Sequence, residues 1–143
     1  MADAETRPGK LRTFFLVLAA SCYILAGANH FRVPNFYRAI IPPFFPVPGA
    51  LVIVSGVFEI IGGLGLLIPG LRRFAGWGLI ALLIAVFPAN IYMVVAPDRI
   101  ADLHVAPWLL WLRLPLQGVL IVWVYLVAIR KPQLGGASGS LVK

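Results

Sequence analysis

Long apolar runs separated by short polar or proline-rich breaks set the pattern of this chain. The runs cover about 13–31, 48–68, 74–96 and 107–129, and each approaches the roughly 20 residues with which a helix crosses a hydrocarbon core. Lipid offers exposed backbone no hydrogen-bond partner, so runs of this length are expected as helices packed against one another. The predicted fold is an all-α membrane protein, a four-transmembrane-helix bundle over 13–131. A short cytoplasmic segment (1–12) precedes it and a Gly- and Ser-rich flexible tail (132–143) follows.

Within these runs the polar exceptions matter most. Asn29, Glu59, Asn90, Arg113 and Gln117 lie in or at the ends of the apolar segments, where an unpaired charge costs several kcal/mol or more. At about 1.5 Å per residue, Glu59 lies roughly 16 Å from Pro48 and Gln117 roughly 15 Å from Pro107, with Asn90 and Arg113 at roughly 9 Å and Asn29 at about 3 Å from the same surface. All five are thus expected in one half of the bundle or near its midplane. Ser55, Gly56, Gly62 and Gly63 stand three or four residues from Glu59, giving it a stripe of small residues along which a neighbouring helix can approach. Ala19, Cys22, Ala26 and Asn29 step along one face of the first helix, and Arg113 and Gln117 share a face of the fourth. The simplest arrangement brings these stripes to one interior, with Arg113 neutralising Glu59.

Composition agrees with a membrane protein. Hydrophobic residues make up 61% of the chain and charged residues 12%, with a mean hydropathy of +0.95, too apolar for a soluble domain of this length. The net charge of +7 does not point to nucleic acid, because the basic residues sit in short clusters beside the apolar spans, as charges facing anionic headgroups do. Arg7, Lys10, Arg12, Arg72, Arg73, Arg130, Lys131 and Lys143 fall on the side of the termini, against Arg32, Arg38 and Arg99 in the opposite loops. That bias predicts cytoplasmic N- and C-termini in a multi-pass cell (inner) membrane protein. Trp108, Trp111 and Tyr92 are expected as outer interfacial anchors, and Trp77, Trp123 and Tyr125 as inner ones.

Basic residues ahead of an apolar core, with Ala26-Gly27-Ala28 beyond it, imitate a secretory signal; the segment is expected to stay as an uncleaved anchor. A single cysteine, Cys22, excludes an intrachain disulfide or a Cys-x-x-Cys redox pair. The two histidines, His30 and His104, with Asp98 and Asp102, have no compact ligand spacing, so neither metal nor haem is expected.

Two segments break the simple pattern. Between Phe31 and Gly49, five prolines alternate with Phe36, Tyr37, Phe44 and Phe45, which predicts a first outer loop folded back over the mouth of the bundle, as cap or lid. In the last span Pro115 removes a backbone donor and clashes with the carbonyl of Trp111. Either the helix continues through a distortion between Arg113 and Gln117, or it begins at Pro115 with 106–114 along the interface.

The motifs Ala26-Gly27-Ala28-Asn29-His30-Phe31, Pro34-Asn35-Phe36-Tyr37, Ser55-Gly56-Val57-Phe58-Glu59, Phe87-Pro88-Ala89-Asn90-Ile91-Tyr92 and Arg113-Leu114-Pro115-Leu116-Gln117 together resemble DoxX-like membrane proteins of the DoxX/MauE group, from about Ala26 to Trp123. The resemblance implies four membrane helices and association with membrane redox systems. It implies no catalytic residues, and the missing cysteine pair argues against thiol exchange.

These readings converge on a binding or accessory subunit without autonomous catalytic activity. Its candidate ligand-binding residues are Asn29, His30, Glu59, Asn90, Arg113 and Gln117, around a pocket that suits a lipophilic molecule such as a quinone. The lipid bilayer is the expected partner; a redox protein and a second copy of the chain stay open. Two alternatives remain, a purely structural bundle in which the polar residues only fix register, and a small dimeric proton-coupled transporter using Glu59.

Overall fold

The computed structural model describes residues 9–100 and 106–130. His104, Asp102 and the tail discussed above lie outside the described residues. Helix α1 spans Lys10–Arg32, a short α2 spans Pro34–Ala39, α3 spans Pro48–Leu67, α4 spans Pro69–Val95 and α5 spans Pro107–Val124. No strand occurs among the described residues. Four of the helices, α1, α3, α4 and α5 with its extension to Ile129, are long and apolar enough to cross a membrane.

Local chemistry explains where these helices begin. Every helix after α1 opens on proline, whose fixed φ suits the first turn and whose missing N–H would find no intrahelical partner there anyway. Because α4 starts at Pro69, Arg72 and Arg73, which fall in the break between the second and third apolar runs, belong to the helix itself. Val47 enters α3 with φ at 50°, a conformation a β-branched residue seldom adopts. It stands between two prolines, Pro46 and Pro48. Helix α5 runs unbroken through Pro115, so the continuous alternative holds. Its last turn widens, and the N–H of Arg130 reaches the carbonyl of Tyr125 at 2.9 Å.

In space, α1 lies along α3, α3 against α4 and α4 against α5, while α1 and α5 touch only sparingly. Glycines set the first of these contacts. A Cβ on Gly27 would stand 2.6 Å from the carbonyl oxygen of Gly56, and one on Gly63 would stand 2.8 Å from that of Ala20. Backbones can approach this closely only where side chains are absent. The buried face of α1 is therefore Leu16, Ala19, Ala20, Tyr23, Gly27 and His30. Of the expected stripe Ala19 is buried and Asn29 half-buried, while Cys22 and Ala26 are exposed.

Two apolar clusters hold the ends together. Leu16, Ala20, Leu66, Leu79, Val124 and Ala128 pack at the end bearing the chain termini. There Arg12 donates from Nε to the carbonyl of Val127 at 3.1 Å and from Nη2 to that of Arg130 at 2.8 Å, tying the first helix to the end of the last. Arg72 Nε does the same for Leu66 O at 3.0 Å. Both guanidinium groups satisfy carbonyls that a helix leaves unpaired at its C-terminus. At the opposite, loop end, Ile40 packs with Met93, Ile100 and Leu110, with Phe36 and Tyr37 against them. The proline-rich segment thus folds back over the bundle. Large apolar side chains such as Phe58, Ile61, Ile84 and Val119 remain exposed along the helices, as a surface facing lipid requires.

Candidate functional site

Between the two clusters lies a cavity of about 550 Å³, walled by all four long helices and roofed by Tyr37, Ile40, Ile41, Pro42 and Phe45. That volume falls within the range of small-molecule sites. His30, Glu59, Asn90 and Arg113, all expected at the site, line it. Asn29 and Gln117 do not.

Their side chains act one step away. Asn29 Nδ2 donates to Tyr37 Oη at 3.2 Å, and the Tyr37 ring stacks on His30 with centroids 3.7 Å apart and planes at 21°. Asn29 therefore fixes the aromatic face that covers His30. Gln117 is buried at 4% exposure; its Oε1 accepts from Asn90 Nδ2 at 2.6 Å and its Nε2 donates to the carbonyl of Leu83. That acceptor lies in the turn where Pro88 withholds the N–H that Ile84 would otherwise receive. Gln117 thus joins α5 to the weakened turn of α4, with both ends of its amide occupied.

Glu59 is paired differently from the expectation. Its nearest basic neighbour among the described residues is His30, whose Nδ1 lies 3.4 Å from Glu59 Oε2 with side chains 9% and 15% exposed, an ion pair only when the imidazole is protonated. Arg113 lines the same cavity, yet no hydrogen bond or ion pair joins it to Glu59. The physical reason is the order of packing: α3 presents Glu59 towards α1, while Arg113 stands on α5, which packs on α4. His30 Nδ1 also faces the carbonyl of Ala26 at 3.0 Å. Donating there leaves Glu59 Oε2 close but without a hydrogen bond.

Three buried polar atoms have no hydrogen-bond partner among the described residues: Tyr23 Oη, Glu59 Oε2 and Trp123 Nε1. All three residues line the cavity. Tyr23 is close enough to Glu59 for the two to interact electrostatically. Buried polar groups are nearly always satisfied, so three exceptions around one cavity call for an explanation. Ser55, also on the wall, is already bonded to Val52 O at 3.1 Å.

Sequence reasoning missed Tyr23, Tyr37 and Trp123. Trp123 was expected as an interfacial anchor, but its indole N–H is buried on the cavity, whereas Trp77 and Tyr125 are exposed and pack edge to face at 6.5 Å. A helical signal existed: Tyr23 is seven residues before His30, and Arg113, Leu120 and Trp123 follow at spacings of seven and three, each keeping to one helix face. Among the described residues no group of three or more His, Cys, Asp or Glu comes together to hold a metal.

The chain matches the family described as Domain of unknown function (DUF8561) over residues 18–128. It belongs to that family. The match takes in the cavity residues from Cys22 to Trp123, with α3, α4 and α5 whole and α1 from residue 18 onward. No curated protein and no solved structure matches the chain.

Proposed function

We propose that this DUF8561 member is a multi-pass membrane protein that holds a lipophilic small molecule with a polar end in the cavity between its helices, acting as a binding or accessory subunit. The observation that carries this reading is the coincidence of Tyr23 Oη, Glu59 Oε2 and Trp123 Nε1, all buried and without a hydrogen bond, on the wall of one mostly apolar cavity. An apolar enclosure with a few polar groups left free is the ordinary form of a site that orients a ligand. The resemblance of the Asn29, Glu59, Asn90 and Arg113 motifs to DoxX-like proteins supports a place beside a membrane redox system, with a quinone-type ring as ligand and a redox protein as partner. The bias of basic residues supports cytoplasmic termini in the cell membrane.

The test is extraction of the purified protein with organic solvent. Wild-type protein is expected to release a lipophilic compound in stoichiometric amount, and Tyr23→Phe with Glu59→Gln to release much less. Empty extracts from well-folded wild-type protein would sink the reading and leave the purely structural bundle, which the occupied amide of Gln117 favours for that residue alone.

A further inference from the structure

The cavity's walls show which way it opens. Its roof is covered: Ile40 and Pro42 are buried, and Tyr37, Ile41 and Phe45 half-buried. Leu51 and Val54 on α3 and Ala85 on α4 also line it, and these are exposed. Near their shared turn, α3 and α4 are held together where Gly62 meets Leu79 and Gly65 meets Ala75. Towards the loop end both helices line the cavity instead. On the α1 side Cys22 and Ala26 are exposed, but the α5 residues opposite, Arg113, Leu120 and Trp123, are half-buried. Between α1 and α3 the way is shut where Gly27 meets the Gly56 carbonyl and Gly56 meets His30, so the open seam with exposed lining on both flanks is the one between α3 and α4.

Resting on the binding function proposed above, we infer that the cavity is loaded sideways from the bilayer, through the seam between α3 and α4, by a single-chain amphiphile whose head is a hydroxyl. The flanks of the seam, Leu51, Val54 and Ala85, are apolar, so an alkyl or isoprenoid tail can remain between the helices and continue into the surrounding acyl chains. A water-soluble ligand would have to cross the covered roof. The head follows from the three atoms without a hydrogen bond. Trp123 Nε1 only donates, Tyr23 Oη donates and accepts, and Glu59 Oε2 accepts when ionised and can donate when protonated. A hydroxyl answers a carboxyl oxygen in either state. A carbonyl or ether head can only accept and gives an ionised Glu59 no hydrogen bond, so of a quinone couple it is the hydroxyl-bearing quinol that the three atoms fit.

The experiment uses Trp123 as reporter. In full-length protein carrying Trp77→Phe, Trp108→Phe and Trp111→Phe, Trp123 is the remaining tryptophan. Protein in nanodiscs is mixed with a long-chain alkanol brominated beside its hydroxyl, whose bromine quenches indole fluorescence at contact. Saturable quenching is expected, and adding Ala85→Phe, or independently Val54→Phe on the facing flank, should slow its onset by about tenfold. The methyl ester of the matching brominated fatty acid should quench only at much higher mole fraction. Saturable quenching with onset unchanged in both seam variants overturns the lateral route while the binding function survives. Equal potency of ester and alkanol overturns the hydroxyl head. No saturable quenching by any probe, in protein that also yields empty extracts, overturns the binding function itself.

Discussion

Asn90 on α4 donates its side-chain amide to Gln117 on α5 at 2.6 Å, and Gln117 in turn donates to the backbone of Leu83. The polar pair that sequence placed in a binding site thus divides its labour. Asn90 borders the cavity, whereas Gln117 fastens two helices beside a proline.

Gln117→Leu should therefore destabilise the fold modestly, by about 0.6 kcal/mol and at most about 1.7 kcal/mol, while leaving ligand extraction intact. Unfolding in detergent with solvent extraction in parallel checks both halves. A variant of full stability that loses the ligand would return Gln117 to the site.

Glu59 and His30 should be energetically coupled, and Glu59 and Arg113 should not. The first pair sits at 3.4 Å with both side chains largely covered; the second shares a cavity without contact. Double-mutant cycles with Glu59→Gln, His30→Ala and Arg113→Ala should give an interaction of at least about 0.5 kcal/mol for the first pair and additivity within about 0.5 kcal/mol for the second. The reverse outcome would mean that α5 turns Arg113 onto Glu59 in the membrane.

This pairing also shows where sequence stops. Four spans, the proline starts of the second and fourth and the small-residue face of α3 were readable, because length, ring geometry and the absence of a side chain act locally. Which helix stands next to which is not local. With α1 along α3, Gly27 meets Gly56 and brings His30 to Glu59, and no spacing within a single helix carries that information. Tyr23 and Trp123 escaped for another reason: aromatic residues in an apolar span fit a core or an interface equally well. Only the lack of a partner for Oη and Nε1, a property of the packed bundle, sets them apart.

Gly27→Ala should separate α1 from α3, since the new methyl would meet the Gly56 carbonyl oxygen at 2.6 Å and Ile60 Cγ1 at 2.8 Å. Overpacking of this kind costs about 1 to 3 kcal/mol. Gly78→Ala is the control, because nothing lies within 4 Å of its added Cβ, and alanine there should stabilise the helix by about 0.5 to 1 kcal/mol. Equal effects at the two positions would refute the close crossing.

Arg12→Ala should loosen the first helix from the last, because one guanidinium bonds both the Val127 and Arg130 carbonyls. A loss of about 1 to 3 kcal/mol is expected. Arg12→Lys should recover only part of it, since an ammonium lacks the planar fork that reaches two acceptors at once. Complete rescue by lysine would reduce the contact to simple charge.

Tyr23→Phe separates ligand binding from structure most directly. Its hydroxyl is buried without a partner among the described residues, a condition that costs the protein about 1 to 3 kcal/mol when nothing answers the group. Removing the oxygen while keeping the ring should therefore raise the melting temperature of protein stripped of lipophilic material. The same change should weaken retention of the ligand, because a hydrogen bond to its head is lost. Opposite signs for stability and binding are what a residue kept for function produces. Thermal unfolding of delipidated wild-type and variant protein, repeated after adding back the extracted compound, measures both signs. A variant less stable than wild type in the stripped state would show that Oη already has a partner inside the protein, and that Tyr23 belongs to the packing rather than to the ligand.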